Sequence, residues 1–193
     1  FQNRAVVDLD ADAHAVEIYN LGDRTSRSLT GQAELGWSVH RRWDTRLAYR
    51  YVHATTGRKG AEEAGTVRDP YIPKHRAFTQ WSYHSKSNTN GGQWNADFTV
   101  QWVGPQRIPR PDVQFDDRPA SELEDDFVVI NGQVSRVFAP GIDLYLGVEN
   151  ILNYRQQNPI VAAQLAYEDE QMFQENMDAS LIYGPIFGRM VYV

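Results

Sequence analysis

The sequence predicts an all-β fold: an antiparallel, up-and-down transmembrane β-barrel segment of about eight strands. Three observations predict it. Apolar and polar residues alternate with period two through most of the 193 residues. The connections between the alternating stretches are by turns short and long, giving short periplasmic turns and long outer loops. Aromatic residues sit near the ends of the apolar strand faces rather than along their middles.

In chain order, an opening strand is expected near Gln2 to Leu9. Ala33, Leu35, Trp37 and Val39 then share one face of a second strand, and Trp43, Leu47, Tyr49 and Tyr51 one face of a third. A fourth carries Ala77, Thr79, Trp81 and Tyr83. The cleanest case is Trp94, Ala96, Phe98, Val100 and Trp102 against Gln93, Asn95, Asp97, Thr99 and Gln101, one greasy side and one wet side. Val128, Ile130, Gly132, Val134 and Phe138 repeat the pattern, with Arg136 interrupting the apolar side near its end. Ile142, Leu144, Leu146 and Val148 follow, and a closing strand begins near Arg189. Short links fall at His40 to Arg42, Lys86 to Gly92 and Ala139 to Gly141; long polar links fall at about His53 to Lys74, Gly104 to Asp125 and Arg155 to Pro185.

Two physical checks separate a membrane barrel from a soluble one. A soluble barrel turns its polar face to bulk water and covers it with Lys and Glu. Here the polar faces are rich in Gln, Asn, Ser, Thr, Gly and Asp, and Lys is scarce, which suits a lumen. Trp43 to Tyr51 and Trp94 to Trp102 each cover roughly 20 Å along a membrane normal at the usual rise and tilt, close to the ~25 Å band between aromatic girdles.

Composition narrows the function classes. With 19 basic and 25 acidic residues the net charge is −6, against the basic face of a nucleic-acid binder. There is no cysteine, which removes disulfides, thiolate metal sites and cysteine nucleophiles. No apolar run approaches the roughly 20 residues of a membrane-spanning helix. No Gly-x-Ser-x-Gly motif, phosphate loop or Ser/His/Asp set is evident, so no enzyme activity and no cofactor are expected.

Four stretches resemble the C-terminal barrel half of TonB-dependent outer-membrane receptors, especially those of Bacteroidetes-type bacteria. LYLGVENILNYRQQNPI, Leu144 to Ile160, is similar to the family's late strand leading into the last large loop. DASLIYGPIFGRMVYV, Asp178 to Val193, resembles the return into the final strand. IPKHRAF, Ile72 to Phe78, and VQWVGPQRIP, Val100 to Pro109, resemble a strand entry and a strand exit; with RAVVDLD near Arg4 the similarity spans essentially the whole chain. The resemblance implies about a third of a barrel of about 22 strands that surrounds a plug. The plug and the TonB-contacting segment are not among these residues, so a C-terminal piece is expected, ending a few residues before an aromatic terminus. Within the motifs, Glu149, Asn150 and Asn153 lie where a strand meets a loop and are expected to satisfy backbone groups there. Gly184, Pro185 and Gly188 mark a turn before the last strand.

Candidate ligand-facing residues are the acids of two long loops, Asp112, Asp116 and Asp117, then Glu168, Asp169 and Glu170, with Glu122, Glu124, Asp125, Asp126, Glu175 and Asp178 nearby. Carboxylates of this kind suit hard cations, but neither loop has EF-hand spacing and no metal site is assigned. Arg46, Arg50, Asp97, Asp143 and Glu149 are the lumen-facing candidates. His14, His40, His53, His75 and His84 are scattered; His53 and His75 flank one loop and could meet across it.

The resemblance implies a receptor-transporter in the bacterial outer membrane. It would contact outer-membrane lipid, bind an extracellular nutrient (siderophore, metal complex, vitamin or glycan), and be energised by the TonB complex through the absent N-terminal part. The alternative is a small self-standing outer-membrane barrel of about eight strands, serving as adhesin, structural protein or narrow pore. A barrel enzyme such as a lipase or protease would need a Ser/His or Asp/His set near the outer rim, which the sequence does not assemble.

Overall fold

In the computed structural model, residues 3–12, 15–57, 66–89, 91–109, 125–138, 141–179 and 181–193 are described. The alternating stretches form strands β3 (Ser26–His40), β4 (Trp43–Gly57), β6 (His75–His84), β7 (Gln93–Val103), β8 (Phe127–Phe138) and β9 (Ile142–Glu149), closed by β10 (Met190–Tyr192). They hydrogen-bond as an antiparallel meander in the order β10-β9-β8-β7-β6-β4-β3. Each turn reverses the chain, so the links 41–42, 85–92 and 139–141 lie at one end of the sheet. The links 58–74, 104–126 and 150–189 lie at the other, as the sorted loop lengths require.

The opening segment differs from expectation. Ala5–Asp8 (β1) does not join the meander but pairs with Glu17–Asn20 (β2) in a separate two-stranded sheet. Tertiary hydrogen bonds hold this hairpin at the long-loop end: the Arg4 guanidinium donates to Thr56 Oγ1 at 3.0 Å, and Arg107 donates to Asp10 at 2.6 Å in a pair that is nearly buried. The eighth strand of the sheet is instead Thr66–Arg68 (β5), which pairs with the last residues of β4. β3 and β4 reach 15 residues each, beyond the 9–11 that a bilayer needs. The last residues of β4 carry β5, and Arg4 ties the β1–β2 hairpin to Thr56 there.

The sheet is open. β3 pairs only with β4 and β10 only with β9, and among the described residues no strand covers either free edge. Among the described residues the sheet's strands bury only Val103 and Phe127 of their apolar side chains, and the buried apolar cluster is a satellite in the last loop, where Val161, Ala162, Leu165 and Leu181 pack with Met172 and Phe173. There the all-β pattern is broken by a 3₁₀ turn, Ala163–Tyr167, and one short helix, α1 (Glu170–Asn176).

Strand β10 is held by an aromatic laid over a glycine. Tyr192 stands opposite Gly147, its ring occupies the space a Cβ would take, and its hydroxyl donates to Gln133 Oε1 at 3.1 Å. Such coverage recovers the packing that a strand glycine forfeits. Gly147→Val is expected to lower unfolding free energy by about 1–3 kcal/mol through overpacking, and Tyr192→Ser in the same chain should restore most of it. Urea unfolding of both variants in detergent decides; equal loss in the single and the double variant would remove ring contact as the cause.

Candidate functional site

The register turns the alternation of single strands into two continuous faces. On one, the middle row reads Leu35, Leu47, Thr79, Val100 and Ile130 across five strands. Toward the long loops the next rows carry Tyr49 and Trp102, then Tyr51 and His75; toward the short turns they carry Trp37, Trp81 and Phe98, then Trp43 and Tyr83. Aliphatic centre and aromatic rims are therefore properties of the sheet, not of one strand. The rims are locally bonded: Trp43 and Tyr83 have ring centroids 4.9 Å apart, and Tyr49 Oη lies 2.6 Å from His75 Nδ1, whose ring stacks on Trp102. Arg136, the charge that interrupts this face, lies over Trp94 at 5.0 Å and beside Phe138 at the short-turn end, where a cation–π contact tolerates it. His53 makes no metal group with His75, and among the described residues no cluster of three or more ligands could hold an ion.

Among the described residues no protein layer covers this apolar face. Leu35 is 59% exposed, Leu144 61% and Leu146 53%. A contiguous apolar surface of this extent marks a partner or lipid contact.

The opposite face is a hydrogen-bonded polar lattice. Asp97 accepts from Ser82 at 2.6 Å, Ser82 accepts from Gln80, Asn131 donates to Thr99, and Asn95 bridges toward Ser135 and His84. Glu34 accepts from Arg46 Nε at 2.8 Å, and Ser38 donates to Asp44. By register, Arg46, Arg50, Asp97, Asp143 and Glu149 all stand on this face. They do not converge: Asp97 lies toward the short turns, Arg50 and Glu149 toward the long loops, and Asp143 beside the 139–141 turn.

At the long-loop end the Gly-Val-Glu-Asn motif acts as a latch. Asn150 is buried, with positive φ, and closes a ring: its Oδ1 accepts from Tyr154 N–H at 3.0 Å, and its Nδ2 donates to Tyr154 O at 2.7 Å and Phe187 O at 3.2 Å. Asn153 Oδ1 accepts the Arg189 N–H, tying the start of the last loop to its end. Gln156, which the sequence did not single out, is buried and donates to Leu181 O while accepting from the Tyr183 and Gly184 N–H groups. Its only sequence signal was membership of the Asn-Tyr-Arg-Gln stretch. Glu149 is exposed and takes no part in the latch.

No family model, curated protein or solved structure matches the chain. The faces and loops themselves therefore carry the functional argument. Of the acidic loop candidates, Asp112, Asp116 and Asp117 lie outside the described residues. Asp169 caps helix α1, accepting from Met172 N–H at 3.0 Å, and Glu170 accepts from Gln174, so these carboxylates serve the local helix. Glu168 ends the preceding 3₁₀ turn through its backbone N–H to Leu165 O.

Proposed function

We propose that this chain is a segment of an outer-membrane β-barrel receptor of the TonB-dependent kind, admitting a scarce nutrient without a covalent step. The observation that carries the reading is the uncovered apolar face with its aliphatic centre and aromatic rims. A water-soluble sheet would bury that face under a second layer; lipid covers it without one. The hydrogen-bonded polar face then looks toward a lumen. The two free edges support a sheet that continues in a larger barrel. β3 is long, with Leu29, Leu35 and Val39 exposed on its apolar face and neither Lys nor Pro to discourage pairing. In lipid each unpaired backbone group costs several kcal/mol, so both edges require strand partners. The TonB coupling, the plug and the nutrient class (siderophore, metal complex, vitamin or glycan) follow from the family resemblance. The long-loop end is the outer one in this reading.

Spin labels placed singly from Asn95 to Val100 in the full-length protein in lipid vesicles test the arrangement. Labels at Ala96, Phe98 and Val100 are expected to be accessible to oxygen and shielded from a water-soluble nickel chelate, and labels at Asn95, Asp97 and Thr99 the reverse. Equal access of the chelate to both sets would remove the membrane assignment. A stable monomer with reproducible conductance from residues 1–193 alone would favour the small self-standing barrel instead. For the transport step, cells lacking the protein and cells lacking TonB function should share one nutrient-limited growth defect. A defect in the second strain alone on every nutrient tried would count against uptake.

A further inference from the structure

Beyond the receptor reading, we propose that Arg50 and Arg76 form a binding site for a small organic anion bearing a carboxylate or phosphate group, at the long-loop end of the polar face. The register sets the two side chains directly opposite one another on β4 and β6, with Gln32 on the other flank of Arg50. Like charges in opposed positions destabilise a sheet, and among the described residues no hydrogen bond or ion pair offsets this one. Of the carboxylates on the face, Glu34 is engaged by Arg46 at 2.8 Å, and Asp44 and Asp97 lie toward the short turns, where they take Ser38 and Ser82. Among the described residues neither Arg50 nor Arg76 has a hydrogen-bond or ion-pair partner, and the Arg76 Nε is buried without one.

The same residues line an open depression of about 410 Å³ on the sheet, with Gln32 and Gln101 also lining it and Phe78 beside the arginines. That volume is in the range of small-molecule sites. The chemistry fits one class. Two planar guanidinium groups offer paired N–H donors that match a two-oxygen anion. The carboxamides of Gln32 and Gln101 can donate or accept to further polar groups, and Phe78 supplies an apolar surface for a short carbon skeleton. An anion between the arginines would turn their repulsion into two charge-assisted contacts.

Arginine-selective modification with phenylglyoxal, mapped by peptide mass on the intact full-length protein, tests this directly. Succinate and inorganic phosphate are the probes, succinamide the neutral control, and the exposed turn residues Arg41 and Arg42 the internal reference. Either anion, added at roughly ten times its dissociation constant, should slow modification of Arg50 and Arg76 about tenfold by occupancy, while Arg41 and Arg42 react unchanged. Arg50→Gln should abolish protection at Arg76, and Arg50→Lys, which keeps charge but loses the fork, should retain only part. Protection absent, or equal at all four arginines, overturns the proposal. So does resistance before any anion is added, which would mean that a carboxylate of the protein itself holds the pair. The readout does not involve lipid, so protection would stand even if the spin labels rejected the membrane assignment.

Discussion

Asn150→Ala is expected to lower the unfolding free energy by about 2–4 kcal/mol, the largest effect of any single polar truncation in the latch. Alanine would leave the Tyr154 N–H, the Tyr154 carbonyl and the Phe187 carbonyl without the side chain that now serves all three. The site is buried, so water does not readily replace it. Alanine would also have to hold φ near 50°, where asparagine is tolerated. Asn150→Gly separates the two causes: it relieves the backbone while still removing the hydrogen bonds, and should recover about 1 kcal/mol of the loss. Equilibrium urea unfolding of the full-length protein in detergent measures both. Because Asn150 joins the first residues of the last loop to Phe187, β10 should detach first, seen as faster amide exchange at Val191 and Tyr192. A variant with unchanged stability would show that the latch is not structural.

Leu47→Arg is the second large effect, and its sign depends on what covers the apolar face. Leu47 stands in the aliphatic middle row, between Leu35 and Thr79, and is 40% exposed to whatever medium surrounds the sheet. In lipid, an arginine near the bilayer midplane should cost about 2–4 kcal/mol of folding free energy. In water the same change at an exposed position should stay within about 0.5 kcal/mol. Thr99→Arg, one residue from the middle row but on the polar face, is the matched control and should be tolerated, since lumen substitutions alter selectivity more than stability. Folding titrations into lipid vesicles read the difference. Equal small effects at Leu47 and Thr99 would leave the apolar face without a membrane.

Phe98 and Asp97 fall on opposite faces because successive strand side chains alternate, a rule that needs no partner. The sorted loop lengths likewise fixed which turns share an end. Asn150 and Asn153 were legible as strand-to-loop residues because asparagine is favoured at turn positions with positive φ, which both adopt. Their partners, Phe187 and Arg189, were not legible, since a contact across nearly forty residues leaves no local trace. The capping role of Asp169 was not legible, because the short helix it starts is hidden in a polar stretch.

Taken alone, then, the chain determined period, parity and loop sorting: strands with one apolar and one polar face, long connections at one end only. Each is a local property, set by neighbouring residues on the same strand. Tertiary structure decided what depends on pairing. Ala5–Asp8 alternates as a barrel strand should, yet it hydrogen-bonds to Glu17–Asn20 and is pinned through Arg4 to Thr56 of β4 and through Asp10 to Arg107, 97 residues away. The opposition of Arg50 to Arg76 likewise arises from the register of β4 against β6, across the long link that separates them. A shift of one residue would have placed Arg76 on the apolar side or moved it away from Arg50. Register is a property of two strands together, and neither strand's own sequence records it.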